Sequence, residues 1–109
     1  MIKSLALLTA KDGMTREEFR KIWLAEHAPL VRAVPGVRKY VLSFILAEPT
    51  VANAPIQPVR VDAIAELWYD DVAAQQRAAA SPEMKIVQDN GALYLGSIKP
   101  LLTEEVAII

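Results

Sequence analysis

The side chain best suited to move a proton near neutral pH is His27, the only histidine among 109 residues. On a helical projection of its segment, His27 lies about 50° to one side of an apolar stripe, and Glu26 lies about as far to the other. The spacing therefore leaves open which of the two points inward. His27 is either a buried histidine bonded to a backbone carbonyl, or a proton donor or carboxylate anchor in a pocket. A lone histidine with no second ligand at suitable spacing predicts no metal site.

Tyr40 is the second candidate for chemistry. It alternates with Leu42 and Phe44 along a strand-like segment, so its phenol would stand in an otherwise apolar wall. Such a phenol can donate a hydrogen bond to a ligand oxygen. The alternative is a core tyrosine whose hydroxyl reaches the surface.

A third group of candidates lies on the segment Arg60 to Tyr69, where Asp62, Glu66 and Trp68 are spaced by two or four residues. On a strand they would share one face. A carboxylate shielded from water has a raised pKa and can act as a general acid or base. The alternative is a structural salt bridge to Arg60 or Arg38. Trp23 and Trp68 are either stacking surfaces for a ligand or core residues.

The hydrophobic periodicity and the turn signals place these residues on six elements in the order βαββαβ. This order predicts an α+β, ferredoxin-like domain covering residues 1–109, with a four-stranded antiparallel sheet. The expected elements are strands at Ile2–Thr9, Val37–Leu46, Arg60–Tyr69 and Tyr94–Ala107, a helix at Thr15–Val34, and a two-part helical segment from Asp70 to Gly91.

The first helix has a clear start and an interruption. Thr15 followed by Glu18 matches a capping box, and Pro35-Gly36 ends the helix. Pro29 lies inside it, so we expect a kink there, with the carbonyl of Ala25 needing another partner.

Two helices can cover only one face of the predicted sheet. Both sides of the second and third strands carry large apolar or aromatic groups, so the other face needs a cover as well. A second copy of the same sheet is the simplest cover, which predicts a homodimer.

The composition excludes several classes of function. Twelve basic and 13 acidic residues give a net charge of -1, with no basic run for a nucleic acid. The absence of cysteine excludes disulfides and thiolate sites. No apolar stretch suits a membrane span or a signal peptide, so we expect a cytoplasmic protein. No phosphate loop or other nucleotide motif is present, so we expect no cofactor.

A set of short motifs spans most of the chain in a fixed order. They are Gly13-Met14-Thr15, Glu18-Phe19, Trp23, Glu26 to Leu30, Pro35-Gly36, Tyr40, Asp62 to Trp68 and Ser81-Pro82-Glu83. In this order the motifs resemble the EthD family of dimeric α/β-barrel proteins. The resemblance implies a homodimeric barrel that encloses a pocket.

Within that family, Arg60 to Trp68 and the tail Gly96 to Glu105 are similar to the methylmuconolactone methylisomerases, which rearrange a small lactone carboxylate without a metal or organic cofactor. The resemblance implies a functional tyrosine at Tyr40. It also reveals a departure, because the isomerases have a cysteine where this chain has Leu67.

Three hypotheses of function follow. The first is a cofactor-independent enzyme that acts on a small cyclic or aromatic metabolite by proton transfer, with His27 as the acid or base. In this hypothesis Tyr40 binds an oxygen. The second is a non-catalytic binding or accessory protein that holds a hydrophobic metabolite. The third is a structural dimer whose barrel is filled by side chains.

Overall fold

The computed structural model describes residues 1–109 and contains the predicted βαββαβ order. None of its helices is long and apolar enough to cross a membrane. The elements are β1 (Ile2–Ala10), α1 (Arg16–Ile22), a π-helical turn (Trp23–His27), α2 (Ala28–Val31), β2 (Lys39–Phe44), β3 (Ala63–Tyr69), α3 (Val72–Ala79), α4 (Pro82–Gly91) and β4 (Leu95–Glu104).

The four strands form one antiparallel sheet in the order β2-β3-β1-β4. The predicted α+β, ferredoxin-like fold is therefore confirmed, with β3 and β1 as the inner strands. β4 is an edge strand, and its ladder with β1 continues through Pro100, which lies opposite Ala6. An edge strand is where a missing N–H is tolerated.

α1 begins where the capping signal predicted. The Thr15 hydroxyl oxygen accepts a hydrogen bond from the Glu18 backbone N–H at 3.1 Å. The reciprocal contact differs from a standard capping box, because the Glu18 carboxylate accepts from the Thr15 hydroxyl at 3.0 Å. The cap thus satisfies one free amide at the start of the helix.

A π-helical turn at Trp23–His27 separates α1 from α2, close to the predicted kink. The Ala28 N–H bonds to the Trp23 carbonyl, five residues back, instead of four. Pro29 follows and has no N–H to donate, so one α-helical hydrogen bond is missing here in any case. The change from four-residue to five-residue hydrogen bonding falls at this point. The helical path ends at Val31, short of the predicted Val34.

The helices cover the sheet face that carries Tyr40, Leu42 and Phe44 from β2 and the alternating residues Ala63 to Tyr69 from β3. This predicted face is confirmed within the strands. Leu46, the last residue of the predicted strand, lies beyond the end of β2 and is 93% exposed. The face behaves as one side of a pleated sheet because alternate residues point the same way.

No helix covers the opposite sheet face, which we call the open face. Its members follow from the strand registers and include Lys3, Leu5, Leu7, Val41, Ile64, Glu66, Trp68 and Leu101. The centre of the face is apolar apart from Glu66, and the edge strands add polar groups such as Lys39, Ser43, Lys99 and Thr103. Such a face needs a cover.

Asp62 does not belong to the open face, so the prediction that it shares a face with Glu66 is corrected. It precedes β3, and its backbone N–H bonds to the Leu8 carbonyl at 2.7 Å. Its carboxylate accepts from the Ala10 N–H, also at 2.7 Å. The strand alternation therefore does not extend back to Asp62.

Candidate functional site

A cavity of about 610 Å³ lies on the helix side of the edge strand β2. This volume is within the range of about 300–1,000 Å³ that is typical of small-molecule sites. The lining residues are Arg20, Leu24, Ala28, Pro29, Arg32, Tyr40, Leu42 and Phe44. One wall is helical, the other is a strand, and the cavity is open to solvent on one side.

The helical wall is built by a spacing of four residues. Arg20, Leu24, Ala28 and Arg32 recur at this interval, which places them one above another along the helical path. The strand wall is built by alternation in β2. Arg20 and Arg32 were not among the predicted site residues, and the repeat of four was the signal that could have found them.

The charged side chains in the cavity wall are all basic. Neither Arg20 nor Arg32 forms a salt bridge, and the wall contains no acidic side chain. The guanidinium group of Arg20 lies over the ring of Phe44, 5.0 Å from the centroid. Two unpaired cations beside an apolar wall favour an anionic ligand that has an apolar body.

Tyr40 is the predicted site residue that lines the cavity. Burial raises the pKa of its phenol to about 12, although the nearby Trp23 indole opposes the shift. The phenol therefore keeps its proton throughout the physiological range and acts as a hydrogen-bond donor.

Trp23 lies behind Tyr40 and is 2% exposed. Its Nε1–H is the buried side-chain polar group that has no hydrogen-bond partner in the protein. Because an unpaired buried donor costs free energy, this N–H is a candidate to receive an oxygen from a ligand or a water molecule.

His27 points inward, which resolves the choice left open against Glu26: His27 is buried and Glu26 is exposed. Its ring stacks on Trp23, and Nδ1 lies 3.0 Å from the Asn90 side-chain oxygen. Burial lowers the pKa of His27 below its ordinary value of 6.5, and the contact with Asn90 opposes the shift. His27 stacks on Trp23 and does not itself line the cavity.

Asp62 lies away from the cavity, inside a cluster of donors. Its side chain is fully buried, and one carboxylate oxygen accepts from both Arg16 and Arg60 at 2.9 Å. Burial alone would raise the pKa of Asp62. The Ala10 N–H and the two guanidinium groups outweigh that effect and hold the pKa below its ordinary value of 3.8.

Glu66 and Trp68 also lie away from the cavity, on the open face. Glu66 pairs with Lys3 at 2.8 Å. The ring of Trp68 lies beneath two ammonium groups, 5.4 Å from that of Lys3 and 4.9 Å from that of Lys39. The structure therefore brings together Tyr40, Trp23 and His27, while the other three predicted site residues lie elsewhere.

No three histidine, cysteine, aspartate or glutamate side chains are grouped so that they could hold a metal ion. The donors around the cavity are phenol, indole and guanidinium groups. These groups bind oxygen atoms of a ligand and do not coordinate cations.

Comparison with known proteins decides the family. The model of the EthD domain matches residues 11–95, most of the chain. The chain belongs to the EthD family. This EthD protein is 33% identical over 106 residues to the 4-carboxymethyl-4-methylbutenolide mutase of Pseudomonas reinekei, a match that covers 96% of the chain and 98% of the mutase.

Solved structures share the fold of this EthD protein. An EthD family protein from Bacillus halodurans superposes with a TM-score of 0.77 at 24% identity, covering 97% of this chain and 99% of that one. A ferredoxin-like protein from Thermobifida fusca, described as dimeric, gives 0.68 at 15% identity, with coverage of 94% and 88%. SnoaB from Streptomyces nogalater, described as a cofactor-independent oxygenase, gives 0.63 at 16%, with coverage of 98% and 95%.

Proposed function

We propose that this EthD protein is a cofactor-independent enzyme of small-molecule metabolism that rearranges a small cyclic acid by proton transfer. The observation that carries the proposal is the cavity between the helical path and β2. It combines an apolar wall, the protonated phenol of Tyr40 and the unpaired guanidinium groups of Arg20 and Arg32. These groups suit a ligand with an apolar ring, a neutral oxygen and a carboxylate.

The name of the mutase relative supports this substrate class. A butenolide is an unsaturated lactone ring, and a carboxymethyl group adds one negative charge. We place the ring against Leu42 and Phe44, the carboxylate at Arg20 or Arg32, and the lactone carbonyl oxygen at Tyr40. Each polar feature of such a ligand then meets a group of matching character.

His27 is the candidate acid and base. Its lowered pKa keeps the imidazole neutral at pH 7, so it can accept a proton from the carboxymethyl carbon of a ligand that reaches past the cavity wall to His27. The C–H bond breaks and an N–H bond forms. The electron pair makes a C=C bond to ring carbon 4 as the bond from that carbon to the ring oxygen breaks, and the negative charge is shared with the lactone carbonyl oxygen. Hydrogen bonds from Tyr40 and the Trp23 Nε1–H would stabilise that oxygen. Closure of the ring at another carbon, with return of the proton, completes an isomerisation with no net oxidation.

We also propose that the open face forms the interface of a homodimer. Leu7 lies opposite Ile64 on it, and Leu5 and Val41 flank Glu66, whose pair with Lys3 provides a polar contact among them. A second sheet packed face to face would remove these apolar groups from water. The opposite face, which the helices cover, would take no part in the interface. The cavity would remain available in each copy.

Turnover of 4-carboxymethyl-4-methylbutenolide, followed by proton NMR, tests the enzymatic proposal. We expect conversion by the wild type and a loss of at least about 100-fold in kcat for His27→Gln, with ligand affinity kept within about threefold. Binding without turnover at any pH from 5 to 8 would overturn the proposal and favour the binding protein. Full turnover by His27→Gln would remove His27 from the mechanism.

Sedimentation velocity at micromolar concentration tests the dimer. We expect a dimer for the wild type and a monomer for Ile64→Glu, because the new charge would be buried without a partner. Leu46→Glu is the matched control, since Leu46 is exposed and lies outside the sheet. A monomeric wild type would contradict the proposed interface.

A further inference from the structure

The contact between His27 and Asn90 determines where the imidazole proton lies. The Asn90 side-chain oxygen is 3.0 Å from Nδ1, and an amide oxygen can only accept a hydrogen bond. Nδ1 must therefore carry a proton to make this bond. Since burial favours the neutral ring, the other nitrogen, Nε2, is left without one.

The remaining surroundings hold the ring in that orientation. The Trp23 indole stacks on one side, with ring centroids 3.7 Å apart. On α4, a Cβ added at Gly91 would come within 3.1 Å of Cε1, so the glycine leaves just enough room for the ring. Only burial and Asn90 shift the pKa of His27, so no ionised side chain competes for control of its proton.

Nε2 is the free end of the ring. No protein group donates a hydrogen bond to it. It is nevertheless not fully enclosed, because the fully enclosed side-chain nitrogen or oxygen without a partner is Trp23 Nε1. It therefore keeps contact with the outside. In the tautomer set by Asn90, this accessible atom carries the lone pair.

We propose that Asn90 is a positioning residue that fixes neutral His27 in the Nδ1–H tautomer, so that Nε2 is the basic atom. The use of that base in turnover rests on the function proposed above, whereas the tautomer does not. With Nε2 unprotonated, the ring can take a proton from a carbon acid and form imidazolium while Nδ1–H stays bonded to Asn90. With the other tautomer, the accessible atom could only donate.

Nitrogen-15 NMR of the protein labelled at histidine tests the tautomer, and the single histidine makes the assignment unambiguous. At pH 7.5 we expect Nδ1 to show the shift of a protonated ring nitrogen and Nε2 that of an unprotonated one. Asn90→Leu removes the acceptor and should move the neutral ring largely to the Nε2–H tautomer. Asn90→Asp keeps an acceptor and should raise the pKa of His27, because a carboxylate favours imidazolium.

Gln88→Leu is the matched control, an exposed amide on the same helix, and it should leave the histidine spectrum unchanged. The ring-current shift that Trp23 imposes on the His27 protons reports whether each variant keeps the folded arrangement. An Nε2–H tautomer in the wild type would overturn the proposal. So would an unchanged tautomer in a folded Asn90→Leu protein.

The same variants separate this inference from the proposed function. If turnover is found, Asn90→Leu should lower kcat more than it changes KM, and Asn90→Asp should shift the acid limb of the pH profile to higher pH. If NMR shows the expected tautomers but no turnover occurs, the proposed function fails and the role of Asn90 in setting the tautomer stands.

Discussion

The imidazole of His27 lies against the indole of Trp23, with ring centroids 3.7 Å apart and ring planes inclined by 24°. The same indole stacks on Phe19 at 5.0 Å and lies close enough to Tyr40 to oppose the rise in the pKa of its phenol. Trp23 thus lies between the two residues proposed to carry the chemistry, and its own Nε1–H has no partner. A substitution at Trp23 would disturb both of them.

Tyr40→Phe should weaken ligand binding by about tenfold, because it removes one hydrogen bond to the ligand oxygen and keeps the ring. Isothermal titration calorimetry with 4-carboxymethyl-4-methylbutenolide measures the change. Tyr94→Phe removes a phenol outside the cavity wall and should bind as the wild type does. Equal affinities for all three proteins would exclude Tyr40 as a ligand contact.

Arg20→Gln and Arg32→Gln test the preference for an acid. At least one of them should weaken binding of the carboxylate ligand by about tenfold and leave its neutral methyl ester unaffected. Arg77→Gln, an exposed position on α3, is the control for the change in net charge. Charge selectivity is measured as the affinity ratio of acid to ester, and a ratio unchanged in both variants would rule out the two guanidinium groups.

The stability of the fold should depend on pH through His27. Its pKa in the folded state lies below the ordinary 6.5, so folding favours the neutral ring. The contribution is complete above 6.5 and is lost as the pH falls from 6.5 towards the folded pKa. Urea unfolding at pH 8, 6.5 and 5 should show a smaller loss of unfolding free energy for His27→Gln than for the wild type.

Asp62 does not affect stability between pH 8 and 5. Its pKa is lowered in the folded state, so its contribution to the unfolding free energy is lost only as the pH falls below 3.8. An equal loss of stability between pH 8 and 5 in the wild type and His27→Gln would contradict the assignment to His27.

Asp62→Ala should lower the unfolding free energy by about 3 kcal/mol, because it leaves the Ala10 N–H and two guanidinium groups without a shared acceptor. Turnover per folded molecule should stay within about twofold of the wild type. Asp70→Ala, which breaks an exposed pair with Arg38, is the control and should change stability far less. A large fall in kcat with little loss of stability would instead make Asp62 catalytic.

Much of the fold could be predicted because its signals are local. Thr15 and Glu18 mark the start of α1, Ser81 and Pro82 mark the start of α4, and alternation in β2 identifies the face that packs on the helices. A cap or an alternating strand depends on residues a few positions apart. Such signals are readable without knowledge of the rest of the chain.

The predictions for β3 were only partly right for the same reason. Glu66 and Trp68 alternate as expected, but Asp62 lies before the strand and is held by Arg16 and an amide of β1. Nothing within the segment signals that its first residues leave the ladder. The partners that decide this are some fifty residues away in sequence.

By itself, the sequence determined the order of elements, the ferredoxin-like class, the membership of the EthD family and the choice of His27 and Tyr40 as candidates. Only the tertiary structure decided that His27 points inward, that Asn90 meets its Nδ1, and that Arg20 and Arg32 face a cavity. The physical reason is the separation in sequence between the residues that interact. Periodicity shows which residues share a face of one element, whereas a site forms where faces of distant elements meet, and that depends on packing across the whole chain.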